Sequence, residues 1–268
     1  MQGQMMDFQL TLPPILERAG KLFPKVPIVS RLPDKTIHRT NYGEFHRRTR
    51  LLAEALQKAG MKRGDRVATL CWNHYRHLEA YFGIPCAGGV LHTLNLRLHP
   101  DDISYIASHA GDRFLICDDV LLPVYEQFKS KHKFEKVIVI RHDSKPLPAG
   151  VTDYEDFLKT ASGDWDYPEI EENEALGMCY TSGTTGKPKG VVYSHRSIVL
   201  HTFCGGLLDN NGIGHNDSLL LIVPMFHANG WAMPFICAML GAKLVLPGPH
   251  VDPASVLELF EKEQITFS

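Results

Sequence analysis

Four short, largely apolar runs constrain what this chain can fold into. They are Val67–Cys71, Val90–Leu94, Phe114–Cys117 and Val137–Ile140. A strand with one wet face alternates apolar and polar residues. These runs do not alternate, so each reads as a strand covered on both faces. Helix-length segments lie between them. Thr11 and Pro13 start a first helix that runs to about Leu22, since proline is tolerated in a first turn. Asn41 with Glu44 three residues on forms a capping box. Behind it Tyr42, Phe45, Thr49, Leu52, Leu56 and Ala59 recur at helical spacing until Gly60. Asn73 is expected to cap a helix running to about Ala87, Pro100 to open one ending at Gly111, and Leu121–Phe128 to form another. The fold class expected is α/β, with mostly parallel sheets covered by helices on both faces.

The chain divides into three stretches. Residues 1–140 form the first α/β segment. Residues 141–174, rich in Pro, Gly, Asp and Glu, read as a connector with a short helix near Tyr154–Leu158. Residues 175–268 begin with a strand at Leu176–Tyr180, then a loop, then a strand at Val191–Tyr193 and a helix from His195 capped by Ser194. Leu219–Val223, a helix around Trp231–Leu240, the strand Lys243–Leu246 and a helix from Asp252-Pro253 follow. Ile265–Ser268 resembles the opening of a further buried strand, so the chain is expected to be a piece of a longer polypeptide.

Composition excludes several classes. Net charge is −2 and the basic residues are dispersed, which gives no nucleic-acid surface. The densest basic stretch, His46–Arg50, reads as a solvated helix face. Six cysteines, the closest fifteen residues apart, hold no CxxC motif. Several sit in apolar runs, as small buried hydrophobes do, so a reduced, cytoplasmic protein is expected. The most apolar window, Trp231–Leu246, is interrupted by Pro234, Gly241 and Lys243 and is too short to span a bilayer, so no transmembrane segment is expected.

The stretch Tyr180–Gly190 dominates the sequence. It holds the hydroxyls of Thr181, Ser182, Thr184 and Thr185, the glycines Gly183, Gly186 and Gly190, and the lysines Lys187 and Lys189. Glycines let successive backbone N–H groups turn toward an anion. Hydroxyls add donors, or ligands for a phosphate-bound cation, and lysine adds a point charge. Pro188 and the strand-like residues after it exclude a Walker A loop, which runs into a helix. A plain Ser/Gly/Thr surface loop is the alternative, but few such loops follow a buried strand directly and carry two lysines.

Thr181-Ser182-Gly183-Thr184-Thr185-Gly186-Lys187-Pro188-Lys189-Gly190-Val191 resembles the signature loop of the adenylate-forming superfamily of acyl-CoA synthetases, luciferases and adenylation domains. Gly64–Ala68 and the helix–strand alternation resemble that superfamily's N-terminal domain. Val223-Pro224-Met225-Phe226-His227-Ala228-Asn229-Gly230-Trp231 resembles its second core motif, and the wording of both motifs is most similar to bacterial fatty-acid-CoA ligases.

The resemblance implies the large N-terminal AMP-binding domain of an acyl-CoA synthetase. It implies Mg²⁺ and phosphate at Thr181, and a pyrophosphate-following loop of Ser182, Gly183, Thr184, Thr185, Gly186 and Lys189. Lys187 falls at a position that the motif leaves open. His227 would lie beside the reacting carboxylate, with Ala228 and Trp231 bordering the acyl-adenylate. Lys189 and His227 are the expected catalytic residues. Trp231, four residues after His227, is expected one helical turn along, where it borders an acyl tunnel; plain core packing is the alternative. His74 and His77, an HxxH without the zincin glutamate, read as helix-start residues, and His195 and His201 as ordinary histidines.

The implied chemistry is attack of a carboxylate on ATP, followed by thioester formation with coenzyme A. The expected substrate is a medium- or long-chain fatty acid. An aryl- or short-chain acid, or a non-catalytic nucleotide-binding fragment, is the alternative. No aromatic-Gly-x-Thr-Glu run, no Thr-Gly-Asp, no hinge and no small C-terminal domain is found in the sequence, so the chain by itself is expected to be inactive. Some relatives form homodimers, which the resemblance therefore allows here.

Overall fold

Asn41 ends a strand and opens a helix in the same residue: its side-chain oxygen accepts the Glu44 N–H at 2.9 Å. The structure, a computed structural model, describes residue 1, residues 5–181 and residues 186–268. Among these the strands are β1 (Pro27–Arg31), β2 (Ile37–Asn41), β3 (Arg66–Leu70), β4 (Val90–Thr93), β5 (Asp112–Asp118), β6 (Lys136–Ile140), β7 (Thr152–Asp153), β8 (Ala175–Thr181), β9 (Lys189–Ser194), β10 (Ser218–Leu220) and β11 (Lys243–Leu246). The α-helices are α1 (Pro13–Leu22), α2 (Tyr42–Lys58), α3 (Tyr75–Cys86), α4 (Pro100–Ala110), α5 (Leu122–Phe128), α6 (Tyr154–Leu158), α7 (His195–Gly205), α8 (Met233–Leu240) and α9 (Pro253–Glu263).

Seven strands form one sheet in the order β7-β6-β5-β3-β4-β8-β9, parallel except for the antiparallel β8–β9 pair. Four form a second, in the order β10-β11-β1-β2, with β1–β2 antiparallel. The α/β class and the mostly parallel sheets agree with the sequence reading.

The side-chain alternation shows how the apolar runs are used. Val67, Phe114, Ile116, Ile138 and Ile140 join one cluster, together with residues of α1, α2, α3 and α8 and with Ile28, Leu219 and Leu244 of the second sheet. Ala68, Leu70, Leu115, Cys117, Val137 and Val139 face the opposite way, onto α4 and α5. Helices therefore cover both faces of the larger sheet, and one set of them is shared with the smaller sheet. Val29, Leu220 and Val245 cover their other face with Leu259 of α9. Strands early and late in the sequence share both sheets, so residues 1–140 and 175–268 do not fold apart.

Five local expectations are corrected. The cap of α3 is His74, whose Nδ1 accepts the His77 N–H, and not Asn73. The Leu219–Val223 strand is only Ser218–Leu220, and Leu121–Phe128 begins as a 3₁₀ turn before α5. The β1–β2 hairpin and the short β7 were not anticipated. The basic stretch is not a free solvated face. Arg48 is bonded to Glu79 and Glu155, and Arg50 stacks on Trp165 and Tyr167. The helix expected from Trp231 begins only at Met233. Residues Ala228–Ala232 form a left-handed turn with φ between 45° and 59°. L-residues resist this conformation, and α-helical periodicity cannot report it.

Candidate active site

β8 and β9 pair antiparallel, with Thr181 and Lys189 facing each other at the end of the register. The expected residues Ser182, Gly183, Thr184 and Thr185 lie outside the described residues. Thr181, Gly186 and Lys189 are exposed. At the base of the hairpin, Tyr180 lies over β9 because Gly190 opposite has no side chain: a Cβ there would sit 3.1 Å from the ring. Lys187 places its ammonium 4.9 Å from the centre of the Tyr105 ring.

His227 reaches the same region from the other side. It follows a non-helical stretch held chiefly by one residue that the sequence reading had assigned elsewhere. Asn73 Nδ2 donates to the Leu221 and Val223 carbonyls at 2.9 Å each, and its Oδ1 accepts the Met225 N–H at 2.8 Å. The Tyr81 hydroxyl donates to the Met225 carbonyl. Beyond His227 the left-handed turn buries Asn229 against β8, where Gly177 makes room: a Cβ on Gly177 would lie 3.1 Å from Asn229 Nδ2. Thr93 Oγ1 donates to Asn229 Oδ1 at 3.3 Å.

Two cavities result. One of about 80 Å³ is lined by Thr181, Tyr180, His227, Ala228 and Tyr193, among others. A larger one of about 570 Å³ is lined by Tyr193, His201, Asn211, Ala228, Trp231 and Met233, among others. Tyr193 and Ala228 border both. Thr181 and His227, 46 positions apart in sequence, are thus brought to one cavity, and Trp231 to its neighbour. Trp231 is 61% exposed, so it is not a core residue. It also lines a third space of about 180 Å³ with Leu221, Val223 and Phe267. Its position comes from the left-handed turn and not from a helical face shared with His227.

Burial sets the ionisation around this frame. It raises the phenols of Tyr180 and Tyr193, the latter to about 12, so both stay protonated near neutrality. His195, buried behind β9, is lowered to about 4 by burial, opposed by Glu174; its neutral Nδ1 accepts the Leu12 N–H at 3.2 Å.

Among the described residues, one buried group of metal-type donors occurs, Cys71, His74 and Asp118, at the carboxyl ends of β3 and β5. Its atoms are already engaged. His74 Nε2 lies 2.8 Å from Asp118 Oδ1, and Trp72 donates its N–H to Oδ2 at 2.9 Å. Asn73, Gly177 and Tyr193 join the site although no local pattern marks them, and Asn229 lies in the second motif without an expected role. Each contributes through a contact distant in sequence.

The profile of the family described as AMP-binding enzyme matches residues 16–268. The chain is 47% identical over 264 residues to a long-chain-fatty-acid–CoA ligase of Thermus thermophilus, covering 98% of this chain and 48% of that protein. It is 40% identical over 272 residues to a medium-chain-fatty-acid–CoA ligase of Ectopseudomonas oleovorans, covering all of this chain and 50% of the other. A solved long-chain-fatty-acid-CoA ligase from Archaeoglobus fulgidus superposes with a TM-score of 0.87 at 20% identity, over 98% of this chain and 52% of that one, a likeness of fold. The chain spans about half the length of the relatives it matches. Among the described residues no helix is long and apolar enough to cross a membrane.

Proposed function

Because the chain belongs to the AMP-binding enzyme family, we propose that it supplies the phosphate-binding and acyl-binding half of an AMP-forming acid–thiol ligase for medium- or long-chain fatty acids. The carrying observation is convergence: Thr181, at the mouth of the loop, and His227, from the second motif, line one cavity. The named relatives, fatty-acid–CoA ligases at 47% and 40% identity, support the substrate class. On this reading residues 1–268 are part of an N-terminal AMP-binding domain. The half-length match supports placing the adenine and ribose contacts, the hinge and the small C-terminal domain outside this sequence.

The donor set fits a nucleotide phosphate chain. Lys189 and the hydroxyl of Thr181 flank the loop from facing register positions, and both are exposed. Lys189 offers a cation to charge that builds on departing pyrophosphate, with Ser182–Gly186 following it. Mg²⁺ carried with the nucleotide would take the Thr181 hydroxyl as one ligand and neutralise phosphate charge. The His227 imidazole orients the carboxylate by hydrogen bonding at the smaller cavity. The larger cavity then receives the acyl chain, with Ala228 and Tyr193 lining it as well as the smaller one and Trp231 on its border. Coenzyme A is the thiol acceptor of the second half-reaction. The free cysteines, five of the six buried, support a reducing, cytoplasmic setting.

The test is ATP–pyrophosphate exchange by the ligase that carries this sequence, with and without fatty acid. Exchange that depends on fatty acid, followed by acyl-CoA formation on adding coenzyme A, is expected. Exchange indifferent to every carboxylic acid offered would refute the proposal.

A further inference from the structure

Tyr105 and His109 lie four residues apart on α4, one turn along the same face. They touch the two flanks of the Gly/Ser/Thr loop. His109 Nδ1 is hydrogen-bonded to the Tyr180 hydroxyl at 2.6 Å, immediately before Thr181. The Lys187 ammonium sits over the Tyr105 ring, 4.9 Å from its centre, near the loop's far end. The Tyr105 and His109 rings are themselves 5.6 Å apart. Neither residue belongs to the motifs recognised in the sequence.

The support beneath them is firm. The opposite face of α4 is anchored by Ile103, Ile106 and Ala107 in the core. Its ends are tied by Lys131 to Asp101 and by His132 to Ser108. Tyr180 is backed by the His92 ring at 5.3 Å, and His92 is fully buried and bonded to Asp112 at 2.8 Å.

A loop free at both flanks loses conformational freedom when it closes around a ligand. Flanks already tied to one rigid helix reduce that loss, which is preorganisation. We propose that Tyr105 and His109 are positioning residues for the loop, a two-point clamp in which His109 holds the Tyr180 side and Tyr105 holds Lys187. The assignment rests on reading the loop as a phosphate site. Neither residue lines the cavity shared by Thr181 and His227. An exposed cation–π contact of this kind is worth a factor of about two to five in an equilibrium.

Two measurements test the clamp. The first is hydrogen–deuterium exchange over residues 180–190, made without nucleotide, in Tyr105→Leu, Tyr105→Phe and His109→Ala, with melts to confirm folding. Tyr105→Leu is expected to speed exchange about two- to fivefold, and His109→Ala, which loses the hydrogen bond to Tyr180, about two- to tenfold. Tyr105→Phe, which keeps the ring, is expected to match the wild type. The second is KM for ATP in pyrophosphate exchange by the ligase carrying this sequence, which is expected to rise by the same factor in Tyr105→Leu with kcat unchanged. Wild-type exchange in Tyr105→Leu, or Tyr105→Phe as loose as Tyr105→Leu, overturns the clamp. A loosened loop in Tyr105→Leu, with full pyrophosphate exchange in Lys189→Ala, supports the clamp and removes the phosphate reading instead.

Discussion

Asn73 Oδ1 accepts the backbone N–H of Met225 at 2.8 Å across 152 residues of sequence. With Nδ2 donating to Leu221 and Val223, one amide satisfies three backbone groups of the segment that delivers His227. Asn73→Ala leaves those groups without partners, at about 1–3 kcal/mol for each that stays dry. The expected outcome is a lower Tm together with a kcat loss in adenylation. Asn73→Asp keeps the acceptor but loses the donor, and is expected to be nearly as poor. A wild-type Tm and rate in Asn73→Ala would refute this role.

Lys189→Ala is expected to slow adenylation on the order of a hundredfold by removing a cation from the leaving pyrophosphate. Thioester formation started from synthetic acyl-adenylate is expected to change little. Lys189 is exposed on its strand, so its removal should leave the Tm near the wild-type value. Equal damage to both half-reactions would show that the lysine serves the fold.

His227 and Trp231 border different cavities, and their variants are expected to separate. His227→Ala lowers adenylation for acids of every length, because all share the carboxylate end. Trp231→Ala enlarges the acyl side and favours longer or bulkier acids, each newly buried methylene contributing about 0.8 kcal/mol. At 61% exposure the indole contributes little to packing, so its removal shifts Tm only slightly. Measuring kcat/KM across acids of increasing length decides. An unchanged chain-length profile in Trp231→Ala defeats the tunnel-border role.

Acid is expected to destabilise the fold through buried histidines. Burial holds His195 at about 4 and, helped by His74, His77 at about 3, against about 6.5 in an unfolded chain. Their neutral forms are favoured in the fold, so the stability they contribute is complete above about pH 6.5. It is lost as pH falls through that value toward 4, because the unfolded chain takes up protons first. Melts between pH 7 and pH 4.5 should show a falling Tm, with a shallower slope in His195→Gln. An identical slope in that variant would remove His195 from the account.

Sequence alone determined the α/β class, the order of most helices and strands, the capping at Asn41, Ser194 and Asp252, and the hairpin loop between two strands. Those features depend on neighbours a few positions apart, and short-range periodicity and turn chemistry report such contacts directly. Tertiary structure decided the rest. Asn73 reads locally as a helix cap, yet His74 caps α3 while Asn73 binds a segment about 150 positions away. The left-handed turn that places Trp231 breaks the helical spacing from which its position had been reasoned. The β1–β2 hairpin is short and mixed in polarity, and β1 gains its place by pairing with β11 from the far end of the chain. Register between distant strands and the meeting of Thr181 with His227 rest on burial shared across the whole fold, and no window of sequence contains both partners.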